Sequence, residues 1–78
     1  MANKKEFTYK IEKECGVVST AGSLPLEMNL ISFNGAPAKY DLRRWRTVDS
    51  QKKMQKGLVL TAEELRDLRD FLNSMENI

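Results

Sequence analysis

The sequence predicts an α+β fold in which four antiparallel β-strands precede one C-terminal α-helix. Apolar and polar residues alternate in the first part of the chain, and an Asn34-Gly35 pair separates two apolar-rich segments. After Thr61, apolar residues recur at helical spacing instead. Because the chain has 78 residues and no repeat or linker-like segment, it is expected to form a single domain over residues 1–78.

The first two strands follow from period-two patterns. Residues 7–15 alternate strictly, with Phe7, Tyr9 and Ile11 on one face, and residues 17–20 are expected to continue past a bend at Gly16. A second strand is predicted over residues 26–33. Its core-facing side carries Leu26, Met28 and Leu30, and its other side carries Glu27, Asn29, Ile31 and Phe33.

Asn34-Gly35 predicts the turn after the second strand, because both residues tolerate positive φ. A third strand follows over residues 38–46. Period two places Tyr40 and Leu42 on one of its faces. The other face is both basic and aromatic and carries Lys39, Asp41, Arg43 and Trp45.

The segment after the third strand is polar and lacks apolar periodicity. Residues 47–55 are therefore predicted to form an exposed loop, with Asp49-Ser50 as turn residues. A short fourth strand is predicted over residues 56–60.

A helix is predicted to begin after Thr61. The Thr61 hydroxyl and the Glu64 carboxylate have the spacing of a capping box, and acidic residues in the first turn suit the helix dipole. The apolar stripe of this helix consists of Leu65, Leu68, Leu72 and Met75. If the helix covers one face of the sheet, then Ile31, Phe33 and Trp45 are expected to lie exposed on the other face, as at an interface.

Charge is distributed unevenly along the chain, although the net charge is only +2. Residues 1–38 are neutral overall. Residues 39–56 contain seven basic and two acidic residues, a net charge of +5, and residues 61–78 contain two basic and five acidic residues, a net charge of −3. A local positive field attracts polyanions whatever the total charge.

Several functional classes lack the residues they need. The chain has no His and a single Cys, Cys15, so common zinc sites, histidine-dependent catalysis and an internal disulfide are excluded. Asp41 and Asp49 look isolated, which predicts no catalytic site, no metal and no cofactor. No apolar segment approaches the roughly 18 residues of a membrane helix. Without a signal peptide near Met1, a cytoplasmic, nucleoid-associated location is expected.

A face that combines aromatic rings with Lys and Arg suits single-stranded nucleic acid, because rings stack on unpaired bases and cations contact phosphates. These contacts do not distinguish DNA from RNA. An alternative hypothesis is a protein-interaction module, whose exposed apolar face docks another protein and whose basic strand keeps the sheet edge soluble.

Three segments resemble the single-stranded-DNA-binding domain of the positive cofactor four family of transcriptional coactivators, particularly its short bacterial members. They are Ile31-Ser32-Phe33-Asn34-Gly35, Lys39-Tyr40-Asp41-Leu42-Arg43-Arg44-Trp45, and the segment from Met54 to Thr61 followed by Glu63-Glu64-Leu65. The resemblance covers residues 31–75, and the first 25 residues share only strand character with the family.

The resemblance implies a homodimer with curved antiparallel sheets and helices packed between subunits, without enzymatic activity. Single-stranded DNA is the implied ligand, and the transcription machinery is a candidate partner. Carried over by position, Phe33 and Trp45 stack on bases, and Lys39, Arg43 and Lys56 contact phosphates. A flexible loop holding Lys52 and Lys53 is expected to close over the bound DNA strand.

Overall fold

The computed structural model describes residues 7–78 and contains one antiparallel sheet followed by one helix. The strands are β1 (Tyr9–Ser19), β2 (Leu26–Phe33), β3 (Lys39–Val48) and β4 (Gln51–Leu60), and the helix is α1 (Ala62–Ser74). The strand order in the sheet is β1-β2-β3-β4, so each strand pairs with its neighbour in sequence. The predicted fold class and element order are confirmed.

β1 continues through Gly16 as one strand and ends at Ser19, so the expected bend does not interrupt it. Its ladder with β2 changes register three times between Ile11 and Ser19. Gly16 has a φ of 143°, a conformation that side chains disfavour. β1 therefore stays continuous where the apolar alternation is interrupted, because its pairing with β2 shifts register there. Such shifts increase the local twist.

The predicted turn residues after β2 adopt the expected conformations. Asn34 has a φ of 51° and Gly35 a φ of 79°, as in a type I′ turn. The Ala36 N–H donates to the Phe33 carbonyl at 2.9 Å, which closes the turn. Asn34 also exchanges two bonds with the Thr8 backbone, since its N–H donates to Thr8 O at 2.8 Å and its Oδ1 accepts from Thr8 N at 2.9 Å.

The predicted loop over residues 47–55 is wrong, because these residues belong mainly to two paired strands. β3 extends to Val48 and β4 begins at Gln51. The turn between them consists of Asp49 and Ser50, whose φ values are 53° and 67°. β2 pairs with β3 only as far as Arg44, so residues 46–53 form a two-stranded arm. Both faces of this arm meet water, which explains the absence of apolar alternation.

α1 begins with the predicted capping box. The Glu64 N–H donates to Thr61 Oγ1 at 3.1 Å, and the Thr61 N–H donates to Glu64 Oε1 at 2.9 Å. The helix lies against β3 and β4, yet none of its residues is buried. Helix packing therefore leaves much of the apolar stripe in water.

The buried core lies on the sheet face opposite α1, which corrects the expectation that this face is exposed. Ile31 is fully buried and Trp45 is 2% exposed. On the helix side, Leu58 is 53% exposed and Leu72 is 41% exposed, although this side was the predicted core. The prediction identified which residues share a face but assigned burial to the wrong face.

Curvature of the sheet explains the burial of this face. The Trp45 N–H donates to Pro25 O, and Tyr9 pairs with Phe33 in the ladder. Eight residues of extended strand, the separation between Pro25 and Phe33, span about 26 Å. The ring centroids of Tyr9 and Trp45 are nevertheless 6.1 Å apart, so the sheet curls toward this face and its side chains close over one another.

Candidate nucleic-acid interface

The face opposite α1, called the aromatic face below, brings most of the predicted site residues together. Residues that oppose one another in an antiparallel ladder share a face, so the registers assign each side chain to one side. The aromatic face carries Tyr9, Glu27, Asn29, Ile31, Phe33, Lys39, Asp41, Arg43, Trp45 and Lys52. Five of the seven predicted binding residues are in this set.

The other two predicted residues are placed differently. Lys53 opposes Arg46 in the ladder, on the same side of the sheet as α1. Lys56 lies where β4 has one extra residue relative to β3, between the pairs Arg43↔Gly57 and Trp45↔Met54. Lys56 lines a groove with Leu26, Leu42 and Leu58, so it borders the apolar helix side.

Phe33 is half-buried on the aromatic face. Its ring centroid is 6.0 Å from that of Phe7, and Arg43 Cζ lies 5.8 Å from it. A guanidinium at this distance is held by the ring's quadrupole. Phe33 is thus supported from one side while part of its ring remains accessible.

Arg43 is held by the buried carboxylate of Asp41. Arg43 Nε donates to Asp41 Oδ1 at 2.6 Å, and Nη2 donates to Oδ2. Arg43 Nη1 donates to the carbonyl of Gln55 at 2.9 Å. Asp41 is fully buried, and Arg43 is the basic partner of its carboxylate. The positive charge of Arg43 already faces a carboxylate, which limits what it can offer to a phosphate.

Gly57 makes room for this ion pair. It opposes Arg43 in the ladder, and a Cβ at Gly57 would overlap the Cβ of Arg43. Sequence reasoning missed the pair, although Asp41 and Arg43 are two residues apart on one strand face. That spacing of opposite charges was an available signal.

Trp45 is enclosed, which corrects the expectation of an exposed ring for stacking. Its ring is flanked by Tyr9, and the ammonium of Lys52 lies 4.9 Å from its centroid. The indole Nε1 is buried and has no hydrogen-bond partner. In the free protein a base therefore cannot reach the indole unless a neighbouring side chain moves.

Lys52 lies in β4 rather than in the predicted flexible loop, and its side chain reaches across β3 to Glu27 on β2. Its Nζ donates to Glu27 Oε1 at 2.8 Å and is 3.1 Å from Oε2. The Lys52 side chain is 48% exposed, whereas that of Glu27 is 15% exposed. Glu27 was not among the predicted site residues, since its partner lies 25 positions away in the chain.

Arg44 and Arg46 alternate to the helix side, as the strand period predicts. Arg44 Nη1 donates to the carbonyl of Leu24 at 2.6 Å, and its guanidinium packs on Gly22. Arg44 therefore anchors the β1–β2 connection. Arg46 is exposed beside Lys53, and neither forms an ion pair with any residue between 7 and 78.

The helix side presents an apolar groove between α1 and the sheet. Its volume is about 450 Å³. Apolar residues of β1, β2, β3 and α1 line it, namely Val18, Met28, Leu42, Leu65, Leu68 and Leu72. Apolar side chains of α1 and of the sheet thus line one shared groove.

Across residues 7–78, no group of three or more potential metal ligands comes together. In the same range, the helix is too short and too polar to cross a bilayer.

The chain is similar to a known protein family and to a bacterial protein. Residues 25–71 match the family model described as Transcriptional Coactivator p15 (PC4). Over 71 residues the chain is 45% identical to an uncharacterized protein of Treponema pallidum (strain Nichols), a match that covers 90% of the chain and 81% of that protein. The residues matched by the family model include all three strands that carry Glu27, Asp41 and Lys52.

Proposed function

Because the chain belongs to the PC4 family, we propose that it binds single-stranded DNA through the aromatic face, without sequence preference. Family membership supports nucleic-acid binding and a coactivator-like role in transcription. The single observation that carries the finer proposal is the placement of Phe33 and Trp45 on one face with Lys39 and Lys52. Rings and cations on one surface suit a strand whose bases are unpaired.

Phe33 is the ring best placed to receive a base first. It is half-buried, and Arg43 supports it by a cation–π contact. We assign Arg43 chiefly to positioning Phe33, because Asp41 and Gln55 O engage three of its N–H groups. Trp45 is proposed as a second stacking ring, which requires that Lys52 move aside.

Phosphate contacts are assigned to exposed lysines that flank these rings. Lys39 and Lys52 are exposed on the aromatic face, and Lys56 is exposed at the irregularity in β4. Lys53 lies on the other side of the arm, so it would contact a strand that wraps around the arm. Each lysine that meets a phosphate should contribute about 0.7 to the slope of log affinity against log salt.

We also propose that the chain forms a homodimer through the helix side. Exposed apolar residues there include Val18, Leu58 and Leu72, and a second copy would remove them from water. A chain of 78 residues with its core on one face gains stability by covering the other. DNA would then bind to the two aromatic faces, which point away from the shared helices.

A titration of fluorescein-labelled oligo-dT, combined with native mass measurement of the complex, tests these proposals. The expected result is a complex of two chains with DNA whose affinity falls with salt, with weaker binding of duplex DNA of equal length. Equal competition by oligo-rU would extend the ligand to RNA. Absence of binding to any nucleic acid would contradict the proposal and favour a protein partner at the apolar surface.

A nucleoid-associated role in transcription, replication or repair follows from this proposal. The protein is proposed to act by binding rather than by catalysis. The transcription machinery is a candidate partner, and co-purification of the tagged full chain with RNA polymerase would test that contact separately from DNA binding.

A further inference from the structure

Lys52, Glu27 and Trp45 form a closed unit at the base of the arm. The Lys52 ammonium contacts both carboxylate oxygens of Glu27, at 2.8 and 3.1 Å, and lies 4.9 Å from the centroid of the indole. The indole beneath it is 2% exposed. Among residues 7–78, these are the side-chain hydrogen bonds that connect the arm to β2.

The carboxylate of Glu27 offers Lys52 the same chemistry as a phosphate group. Both are anionic groups whose oxygens accept charge-assisted hydrogen bonds from an ammonium. The Lys52 side chain is 48% exposed, so a phosphate in solution can approach its ammonium from the open side. A partly exposed ion pair contributes little net stability, and exchange of one anion for another is therefore easy.

We infer that Glu27 is an internal substitute for a phosphate: it holds Lys52 over Trp45 in the free protein, and a backbone phosphate of a bound single strand replaces it. The exchange turns Lys52 toward the ligand and uncovers the indole for stacking. This inference rests on the proposed function, since it names how the aromatic face changes when the strand binds. Glu27 is a positioning residue that lowers the affinity for nucleic acid.

The variant Glu27→Gln tests this exchange, because it keeps the size of the side chain and removes its charge. We expect it to bind oligo-dT about two- to fivefold more tightly than the unchanged protein. This gain corresponds to the energy that an exposed ion pair usually contributes. Asp70→Asn is the matched control. It alters the net charge equally and also breaks an exposed ion pair, that with Arg69 at 3.0 Å, so its affinity should stay near that of the unchanged protein.

A double-variant cycle separates the exchange from a general effect of charge. In a Lys52→Gln background, Glu27→Gln should give no further gain, because the competition for Lys52 is already gone. An equal gain in both backgrounds would overturn the inference, since Glu27 would then act on the strand directly. The inference would also be overturned if Glu27→Gln bound oligo-dT no more tightly than Asp70→Asn.

Acrylamide quenching gives a second readout that needs no ligand. The chain has one Trp, so its fluorescence reports on Trp45 alone. Without ligand, the Trp45 fluorescence of Glu27→Gln should be quenched more strongly than that of the unchanged protein, when circular dichroism shows equal folded fractions. Equal quenching would contradict the inference that Glu27 keeps Lys52 over the indole. If no variant binds oligo-dT, the proposed function fails. If the unchanged protein binds and Glu27→Gln binds no better, only this inference fails.

Discussion

The guanidinium of Arg43 forms two hydrogen bonds with the carboxylate of Asp41, a side chain with no exposure to water. The same guanidinium lies over Phe33. A buried charge pair thus links the interior of the sheet to the ring proposed to meet the first base. Loss of either charge would leave the other desolvated without its partner.

The change Asp41→Ala should lower the free energy of unfolding by about 3–5 kcal/mol, because it leaves the charge of Arg43 unpaired in a low-dielectric site. Urea denaturation followed by circular dichroism measures this loss. Asp67→Ala is the control, since Asp67 is exposed on α1, and it should change stability by less than about 0.5 kcal/mol. Similar losses for both variants would contradict the structural role of the pair.

Trp45→Ala should destabilise the protein by about 3–5 kcal/mol, the usual cost of deleting a buried aromatic side chain. An exposed stacking residue would instead be removed with little effect on stability. Thermal unfolding of Trp45→Ala and Trp45→Phe measures the difference, and the Phe variant should lose clearly less. A Trp45→Ala variant as stable as the unchanged protein would show that the indole is not enclosed.

Phe33→Leu should weaken oligo-dT binding by about 1 kcal/mol or more, because base stacking on an aromatic ring contributes roughly 1–3 kcal/mol. Leucine keeps an apolar side chain there but provides no π-face. Fluorescence anisotropy measures the affinity. Phe71→Leu is the matched control, since Phe71 is 62% exposed on α1, and its affinity should not change. A loss of the same size in both variants would remove the stacking role from Phe33.

Leu72→Glu should convert the proposed homodimer into a monomer. It places a charge in the apolar groove that a second copy would cover, and burial of an unpaired charge is strongly unfavourable. Light scattering during size exclusion measures the mass. Asp67→Glu, a conservative change at an exposed position of the same helix, should keep the mass of the unchanged protein. A monomeric unchanged protein would contradict the dimer proposal directly.

Lys53→Glu should stabilise the arm, because Lys53 directly opposes Arg46 and like charges in that position repel. The expected gain is about 0.2–1 kcal/mol, and it should fall as salt rises and screens the exposed charges. Thermal unfolding at two salt concentrations measures both effects. Lys53→Gln, which removes repulsion without adding attraction, should give a smaller gain. A gain independent of salt would point to a cause other than charge.

Local chemistry was sufficient to predict several elements. The bounds of β2, the positive φ values of Asn34 and Gly35 and the capping box of Thr61 each depend on residues close together in the chain. The arm was missed because both of its faces are wet. Its signal was the turn at Asp49 and Ser50, which alone does not fix strand length.

Burial could not be predicted from alternation, because alternation reveals which residues share a face and not which face closes. The choice depends on curvature, and the register shifts of β1 become visible only once strands are paired. The contact between Glu27 and Lys52 could not be predicted for the same reason. It depends on the pairing of β2 with β3 and of β3 with β4. Alternation placed Phe33, Lys39, Arg43 and Trp45 on one face, but the enclosure of Trp45 depends on contacts between residues far apart in the chain.

A nucleic-acid strand bound as proposed would stabilise the folded chain, and opening the Lys52 cover over Trp45 would reduce that gain. A ligand that binds only the folded chain raises its apparent melting temperature, by an amount set by ligand concentration relative to Kd. A strand that replaces the Lys52 cover also exposes an aromatic ring before stacking on it, so part of its binding energy is spent on opening the interior. If binding opens the interior as proposed, short oligonucleotides, which contribute few contacts, should bind disproportionately weakly compared with longer ones.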